Sequence, residues 1–360
     1  MMKKWNVFLA CLMAVSAFGF ASCGETSSNS GNSNSNSESS SGGETQQPAE
    51  TQMLFDTKFE KGISVSSLLS AEQSYTTWNY SGEAYTEPFW QLGQYGDLSS
   101  TRKNYDSTKN DLSLGSELFG IPAYGITGTT EDGKHTLTNQ SGSKFMSVDT
   151  KNGAVNLTVD TTKEYINQET GALQKRVNGE DWVHMILSQQ CGTVYLDQVE
   201  SFVMELDFTL TTNEILDTSI GAAQFQWIFS VKDAESVIGD YFWFNVCLFD
   251  NRYENFPGTQ MYDSGKADAT GKFIYAPTGN DLFGETGGKV EVGKTYHVVL
   301  DLKAHMQNAF NIAKGKGALA QSEWKNMRIN GFNLGWEVSN LAKVGVEISN
   351  LALKKADKAM

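Results

Sequence analysis

Basic residues and cysteines are scarce in this chain, and its longest apolar run is too short to span a bilayer comfortably. The 360 residues carry 28 Lys and Arg against 42 Asp and Glu. A surface of that sign repels nucleic acid and anionic lipid. It also disfavours a highly anionic polymer unless a local basic patch overrides the average. The chain has four cysteines with no metal-ligand spacing among them, which excludes a cysteine-built metal site. Helical periodicity is confined to one main stretch, and neither an internal repeat nor a second linker is visible.

What is present begins with an address. Lys3 and Lys4 precede an apolar run from Val7 to Phe20, and Phe20-Ala21-Ser22-Cys23 follows. A basic start, a short apolar core and small residues at the cut form a secretory leader. The cysteine after the small pair makes residues 1–23 resemble a bacterial lipoprotein signal, with Phe20 where such signals usually carry Leu. The resemblance implies that Cys23 becomes the lipidated first residue and that the protein sits in the cell envelope, on the extracellular or periplasmic side. Residues 24–50 are almost entirely Ser, Asn, Gly, Glu, Thr and Gln without an aromatic. That composition cannot bury enough apolar surface to order itself, so it reads as a disordered tether of roughly 30 Å root-mean-square span. Removal of the leader takes Lys3 and Lys4 and no acids, leaving 26 basic against 42 acidic residues and a net charge of −16. Besides the anchor, only Cys191 and Cys247 then remain, as one disulfide or as two buried thiols.

Residues 51–360 read as one all-β domain. Val155, Leu157 and Val159 alternate with polar neighbours, as do Phe202, Met204, Leu206, Phe208 and Leu210, then Tyr296, Val298 and Leu300, then Val344, Val346 and Ile348. Each is a strand with one face on a core, and many such strands with little helix predict an antiparallel two-sheet sandwich. The one short helix expected runs from Leu302 to about Ala313, where Leu302, Met306 and Phe310 recur every four residues before Gly315 and Gly317.

Two strands carry chemistry on their second face. Phe225, Trp227 and Phe229 share one side of Ala222–Ser230, and Gln224 and Gln226 share the other. In Tyr241–Asp250 the core side is Phe242, Phe244, Val246 and Leu248, and the other side is Tyr241, Trp243, Asn245 and Cys247. Amides beside an aromatic ring suit a sugar, because the ring covers the apolar C–H face while the amides bind hydroxyls. Asp250 and Arg252 follow at the rim. They would either meet ligand or close on each other as a turn-internal ion pair.

With Trp182–Leu187, Met204–Phe208 and the closing segments Gly331–Glu337 and Val346–Leu351, the region from about Leu54 to Leu353 resembles the concanavalin A-like lectin and glucanase superfamily. The resemblance implies a jelly-roll sandwich that takes polysaccharide or oligosaccharide on the concave face of one sheet. It also implies that the late Ser-Asn-Leu-x-Leu strand pairs with the start of the domain, near Leu54–Phe59. The superfamily includes lectins, glycoside hydrolases, polysaccharide lyases and inactive binding modules, so the fold alone does not choose among them.

Glu205-Leu206-Asp207-Phe208 resembles the catalytic strand of family 16 glycoside hydrolases. The position of the final acid/base is Thr209 or Leu210, neither of which transfers a proton. A lyase or hydrolase reading rests instead on His184, Arg176 and Glu337; Glu337 projects outward if Trp336 is core. The substrate-binding set expected is Gln224, Gln226, Trp243, Asn245, Asp250, Arg252 and Trp90. Trp90 comes from an aromatic-dense stretch, residues 75–105, taken as loop, and a second long loop is expected at 251–290. No cofactor and no catalytic metal are expected; structural calcium on the Asp and Asn residues at 263–285 stays open. The leading expectation is thus a lipid-anchored carbohydrate-binding protein. A glycan-degrading enzyme of the same fold comes second, and a structural envelope protein with no exposed aromatic cleft third.

Overall fold

The computed structural model describes residues 49–358, apart from 68–73, 79, 81–87, 95–129, 140–141, 168–169, 177–181, 265–268 and 285–288. The leader, Cys23 and residues 24–48 lie outside the described residues, while Ala49 and Glu50, the last two of the expected tether, are described; Pro48–Met360 forms one compact unit.

The unit is a two-sheet jelly-roll β-sandwich, with strands numbered along the chain. One sheet runs β15 (Thr295–Asp301), β10 (Val199–Ile215), β17 (Ala342–Asp357), β8 (Ala154–Asp160), β7 (Lys144–Asp149), β6 (Lys134–Thr138) and β5 (Thr130–Glu131). β1 (Glu50–Gln52) joins the C-terminal end of β17, which makes this sheet eight-stranded; the last strand thus meets the start of the domain at Glu50–Gln52, a few residues before the expected Leu54–Phe59. The nine-stranded sheet runs β13 (Thr259–Tyr262), β14 (Phe273–Ala276), β12 (Tyr241–Asp250), β11 (Ala223–Asp233), β16 (Met327–Val338), β9 (Val183–Tyr195), β4 (Trp90–Gln94), β2 (Ile63–Ser67) and β3 (Ser74–Trp78). Pairing is antiparallel except between β12 and β14 and between β2 and β4.

Period-two alternation places the core as expected. Val155, Leu157 and Val159, the Phe202–Leu210 set, Val298 and Leu300, and Val344, Val346 and Ile348 are buried from the eight-stranded sheet. Phe225, Trp227, Phe229, Phe242, Phe244 and Trp336 face them from the other. The sheets are joined across the core by the rings of Phe208 and Phe225, 5.7 Å apart, and by Trp336 Nε1, which donates to the Leu157 carbonyl at 3.0 Å. Fully burying each such side chain contributes roughly 1.5–3 kcal/mol, and the indole bond satisfies the one polar atom that Trp336 takes inside.

Two α-helices are described rather than one. α1 (Gly279–Phe283) starts in a capping box between Thr278 and Asp281. α2 (Leu302–Gly315) is the expected helix; Asp301 caps it by accepting from Lys303 and Ala304 N–H, and it buries Leu302, Met306 and Phe310. Gly317, at φ +87°, then turns the chain in a conformation that side chains resist. Cys191 and Cys247 are free, buried thiols.

Both expected long loops contain regular structure. The 75–105 stretch includes β3 and β4, and 251–290 includes the β13–β14 hairpin and α1. The aromatic richness of 75–105 partly serves the core, because Trp78 and Trp90 are fully buried and Trp90 stacks on Phe59 at 4.8 Å. In the other stretch, Asp263 accepts from the N–H and hydroxyl of Thr270 and Asp281 is held by its capping box, so turn geometry occupies these calcium candidates. Among the described residues no cluster of three His, Cys, Asp or Glu could hold a metal ion.

Candidate functional site

Register turns the two polar strand faces into a set of cross-strand rows over four adjacent strands, β9, β16, β11 and β12. His184, Glu337, Gln224 and Asp250 stand opposite one another in sequence across these strands. The next row is Ile186, Gly335, Gln226 and Cys247, and the one after is Ser188, Asn333, Ile228 and Asn245. Gln91 of β4 extends that third row beyond Ser188. The neighbouring residue in each strand points into the sandwich, so all these positions share the outer face of the nine-stranded sheet. Trp243 lies on the same face opposite Ser230 and is half-exposed.

The polar groups form a directed chain. Asn245 Nδ2 donates to Gln226 Oε1 at 3.3 Å, Gln226 Nε2 donates to Glu337 Oε2 at 2.9 Å, and Glu337 Oε1 lies 3.5 Å from His184 Nε2. Gln226 is only 5% exposed, and losing either bond would strand a buried amide. Asn245 Oδ1 is covered and has no hydrogen-bond partner among the described residues. A neutral amide, itself oriented by Asn245, thus holds the Glu337 carboxylate, whose side chain is 23% exposed beside a His184 side chain at 13%. Gly335 allows this crossing to be tight: a Cβ there would stand 2.1 Å from the Met185 carbonyl oxygen.

A second bonded group closes the end of β12. Arg252 grips Asp250 with Nε at 2.9 Å and Nη2 at 2.6 Å, and Gln224 Nε2 donates to the same carboxylate at 2.9 Å. The Asp250 side chain is fully buried while Arg252 stays 46% exposed. The carboxylate raises the arginine pKa further, mainly through these hydrogen bonds. The turn-internal ion pair is therefore what the rim contains: Asp250 is sealed, so as a direct ligand contact it is corrected to a group that orients Gln224 and Arg252. Beside it a cleft of about 160 Å³ opens between β12, α1 and the Asn251–Phe256 turn, lined in part by Tyr253, Phe283 and Lys289.

The structure brings His184, Glu337, Gln224, Gln226, Asn245, Trp243, Asp250 and Arg252 onto one face or its rim. Trp90 does not join them; it is core, and its Nε1 donates to the Asp56 carbonyl at 2.9 Å. Arg176 lies outside the strands, in the segment before β9. Glu205 and Asp207 are on the outer face of the other sheet, where Lys354 holds Glu205 and His297 and Asn350 hold Asp207. Thr209 there bonds Thr295 at 2.8 Å and Leu210 is core, so that strand lacks the family-16 acid/base in either register. Sequence reasoning missed Ser188 and the polar residues at the far end of the same face. The parity of β11, which Lys232 shares with Gln226, was the signal that could have found Lys232, whereas Ser188, Tyr195 and Arg328 are placed by the register of β9 and β16.

On this face the acid/base couple seen among the described residues is His184 with Glu337, while the Asp250 carboxylate is buried and held by Arg252 and Gln224. The arrangement can bind hydroxyls through amides, a carboxylate and a ring, and it can pass a proton between His184 and Glu337.

No family model and no curated protein matches this chain. Among solved structures it is similar to the endoglucanase Cel12A from Rhodothermus marinus, at 10% identity and TM-score 0.33, over 63% of this chain and 93% of that one. A family 12 xyloglucanase from Bacillus licheniformis gives 9% identity and TM-score 0.33, over 62% and 87%. A family 11 xylanase from Neocallimastix patriciarum gives 7% and TM-score 0.34, over 65% and 97%.

Proposed function

We propose that this chain is an envelope lipoprotein, anchored through Cys23 and a flexible tether, that binds polysaccharide along the outer face of its nine-stranded sheet. The observation that carries the reading is the directed chain Asn245–Gln226–Glu337–His184 laid beside Trp243. Orienting neutral amides in a partly buried network costs more than a plain solvated surface needs, and it presents donors and acceptors in fixed directions to a hydroxyl-rich ligand. Trp243 supplies the apolar plane against which a sugar ring stacks. Native affinity electrophoresis through gels containing different polysaccharides tests this. Retardation by a polymer that falls at least about tenfold in affinity in Trp243→Ala and Asn245→Ala is the expected result. Unchanged affinity in both variants would remove this face from the binding site. The anchor has its own readout, incorporation of a labelled fatty acid that disappears in Cys23→Ala.

The 3.5 Å approach of His184 to Glu337 favours a second reading, cleavage of the bound glycan with this couple as proton carriers. It requires turnover that is lost in His184→Ala while folding and polymer retardation persist. A polymer recovered intact after retardation would leave binding alone.

A further inference from the structure

The four strands that carry the amide network carry a different row at the other end of the same face. Arg328 of β16 stands opposite Tyr195 of β9 and opposite Lys232 of β11, and Lys232 stands opposite Tyr241 of β12. The residues beside them in each strand, Val194, Ile329, Val231 and Phe242, are core. Tyr195, Arg328, Lys232 and Tyr241 therefore point outward, as Gln226 and Asn245 do.

Two cations directly opposite on neighbouring strands repel each other. Here nothing offsets the repulsion: among the described residues no carboxylate pairs with Lys232 or Arg328, and the charge acting on Lys232 is Arg328 itself. Lys232 is also half-buried, so part of its hydration is already lost in the free protein. The Arg328 guanidinium lies 6.0 Å from the Tyr195 ring centre, which orients it. A third cation, Lys272, sits 5.0 Å over the Tyr241 ring, balanced by Asp240 at 3.4 Å. Tyr241 meets Trp243 edge-on at 5.1 Å, so aromatic surface runs from this row toward the amides.

We propose that the Lys232–Arg328 row is a subsite for an anionic substituent, a carboxylate or a sulfate ester, and that the ligand of this face is an acidic polysaccharide lying along β11. The proposal rests on the polysaccharide reading and narrows its substrate class. An anion seated between the two cations replaces their mutual repulsion with two charge-assisted bonds, and much of the desolvation is already met before binding. The remaining surface, at −16 net charge without the leader, repels such a polymer, so binding is confined to the register that brings its charge to this row. From Gln224 to Lys232 the strand rises about 27 Å, which separates the anion from Glu337 and leaves the amide end to neutral hydroxyls.

Affinity electrophoresis with matched polymers tests it: polygalacturonate beside its carboxyl-reduced form, and chondroitin sulfate beside its desulfated form. The protein should bind the charged member of one pair about tenfold or more tightly than its neutral counterpart, with the preference falling as ionic strength rises. Which pair shows it separates carboxylate from sulfate recognition. The K232Q/R328Q double variant should erase the preference, whereas Lys354→Gln on the other sheet should leave it. The double variant relieves a repulsion and so keeps its fold, which a melting curve checks. Equal binding of both members in each pair, or a preference that survives K232Q/R328Q, would overturn the subsite while leaving polysaccharide binding in place. Retardation by neither charged nor neutral polymers would overturn the glycan reading and the subsite together.

Discussion

Lys354, on the outer face of the eight-stranded sheet, donates to Glu205 at 2.9 Å, and that bond raises its pKa. Lys232, on the outer face of the nine-stranded sheet, sits opposite Arg328; burial first, and then that neighbour's charge, lowers its pKa. The difference extends to the faces around them. On the eight-stranded sheet the Lys354 cation closes on Glu205, and His297 and Asn350 close on Asp207, all at short range. On the nine-stranded sheet Glu337 is held by a neutral amide and the unpaired cations stand far from it. One face satisfies its own charges, and the other holds charges apart at a cost in stability. Unsatisfied, ordered charge is what a binding surface keeps and a solvated surface discards.

Substitutions on both faces can break or sharpen this contrast. The largest effect is expected at the glycines. Gly335→Ala forces a Cβ to 2.1 Å from the Met185 carbonyl and 2.7 Å from the Ile186 Cα, backbone that cannot give way. Urea unfolding should show a loss of about 3 kcal/mol. In the eight-stranded sheet Gly345→Ala meets the Thr158 and Thr211 hydroxyls at 2.7 and 2.8 Å, which can rotate. A loss of about 1 kcal/mol is expected there, and equal losses would deny that the nine-stranded sheet is the more tightly fitted.

Next come the carboxylates. Glu337→Ala leaves the Gln226 amide, 5% exposed, without its acceptor and should cost about 2 kcal/mol. Glu205→Ala removes a partly exposed ion pair and should cost less than about 1 kcal/mol. Reversal of this order would mean that the amide network contributes less than a surface pair.

The lysines give the smallest effects, and these have opposite signs. Lys232→Met should stabilise by roughly 0.5 kcal/mol by ending a like-charge opposition, and Lys354→Met should destabilise by a few tenths. Their pH dependences differ accordingly. The raised pKa of Lys354 means that its contribution is present below the ordinary lysine value and lost as pH rises through the higher folded value. The lowered pKa of Lys232 means that its penalty is present at neutral pH. That penalty is relieved between the lowered folded value and the ordinary one. Unfolding free energies of the two Met variants against wild type, followed from pH 7 upward, should therefore converge on wild type from opposite sides. Convergence from the same side would refute the contrast.

Much of the fold was legible because alternation over Phe202–Leu210 or Val344–Ile348 can be buried in only one way. Strand parity likewise placed Gln224, Gln226, Trp243 and Asn245 on a common side. The rows themselves were not legible. They depend on register shifts between Phe225 and Gln226 against β12, and between Ile329 and Gly331 against β9, and a bulge leaves little trace in residue type. Trp90 misled because an aromatic-dense stretch reads as a stacking platform or as core equally well, and only the close packing of Phe59 on its ring decides between them. Asp250 and Arg252 are two residues apart, and whether such a pair opens outward or closes on itself is set by a turn that alternation does not describe.

The place of β1 has a consequence for the order of assembly. Gln52 Oε1 accepts from the N–H of Leu353, 301 residues later, and among the described residues β1 pairs with β17 alone. β17 in turn is the strand against which β10 and β8 align. The centre of one sheet is thus supplied by the last part of the domain to be synthesised, and earlier strands must wait for it with their edges unpaired. Contacts this distant in sequence make folding slow. They also keep the nascent chain open until nearly all of the domain is available, so its middle strands stay exposed to mispairing for longest.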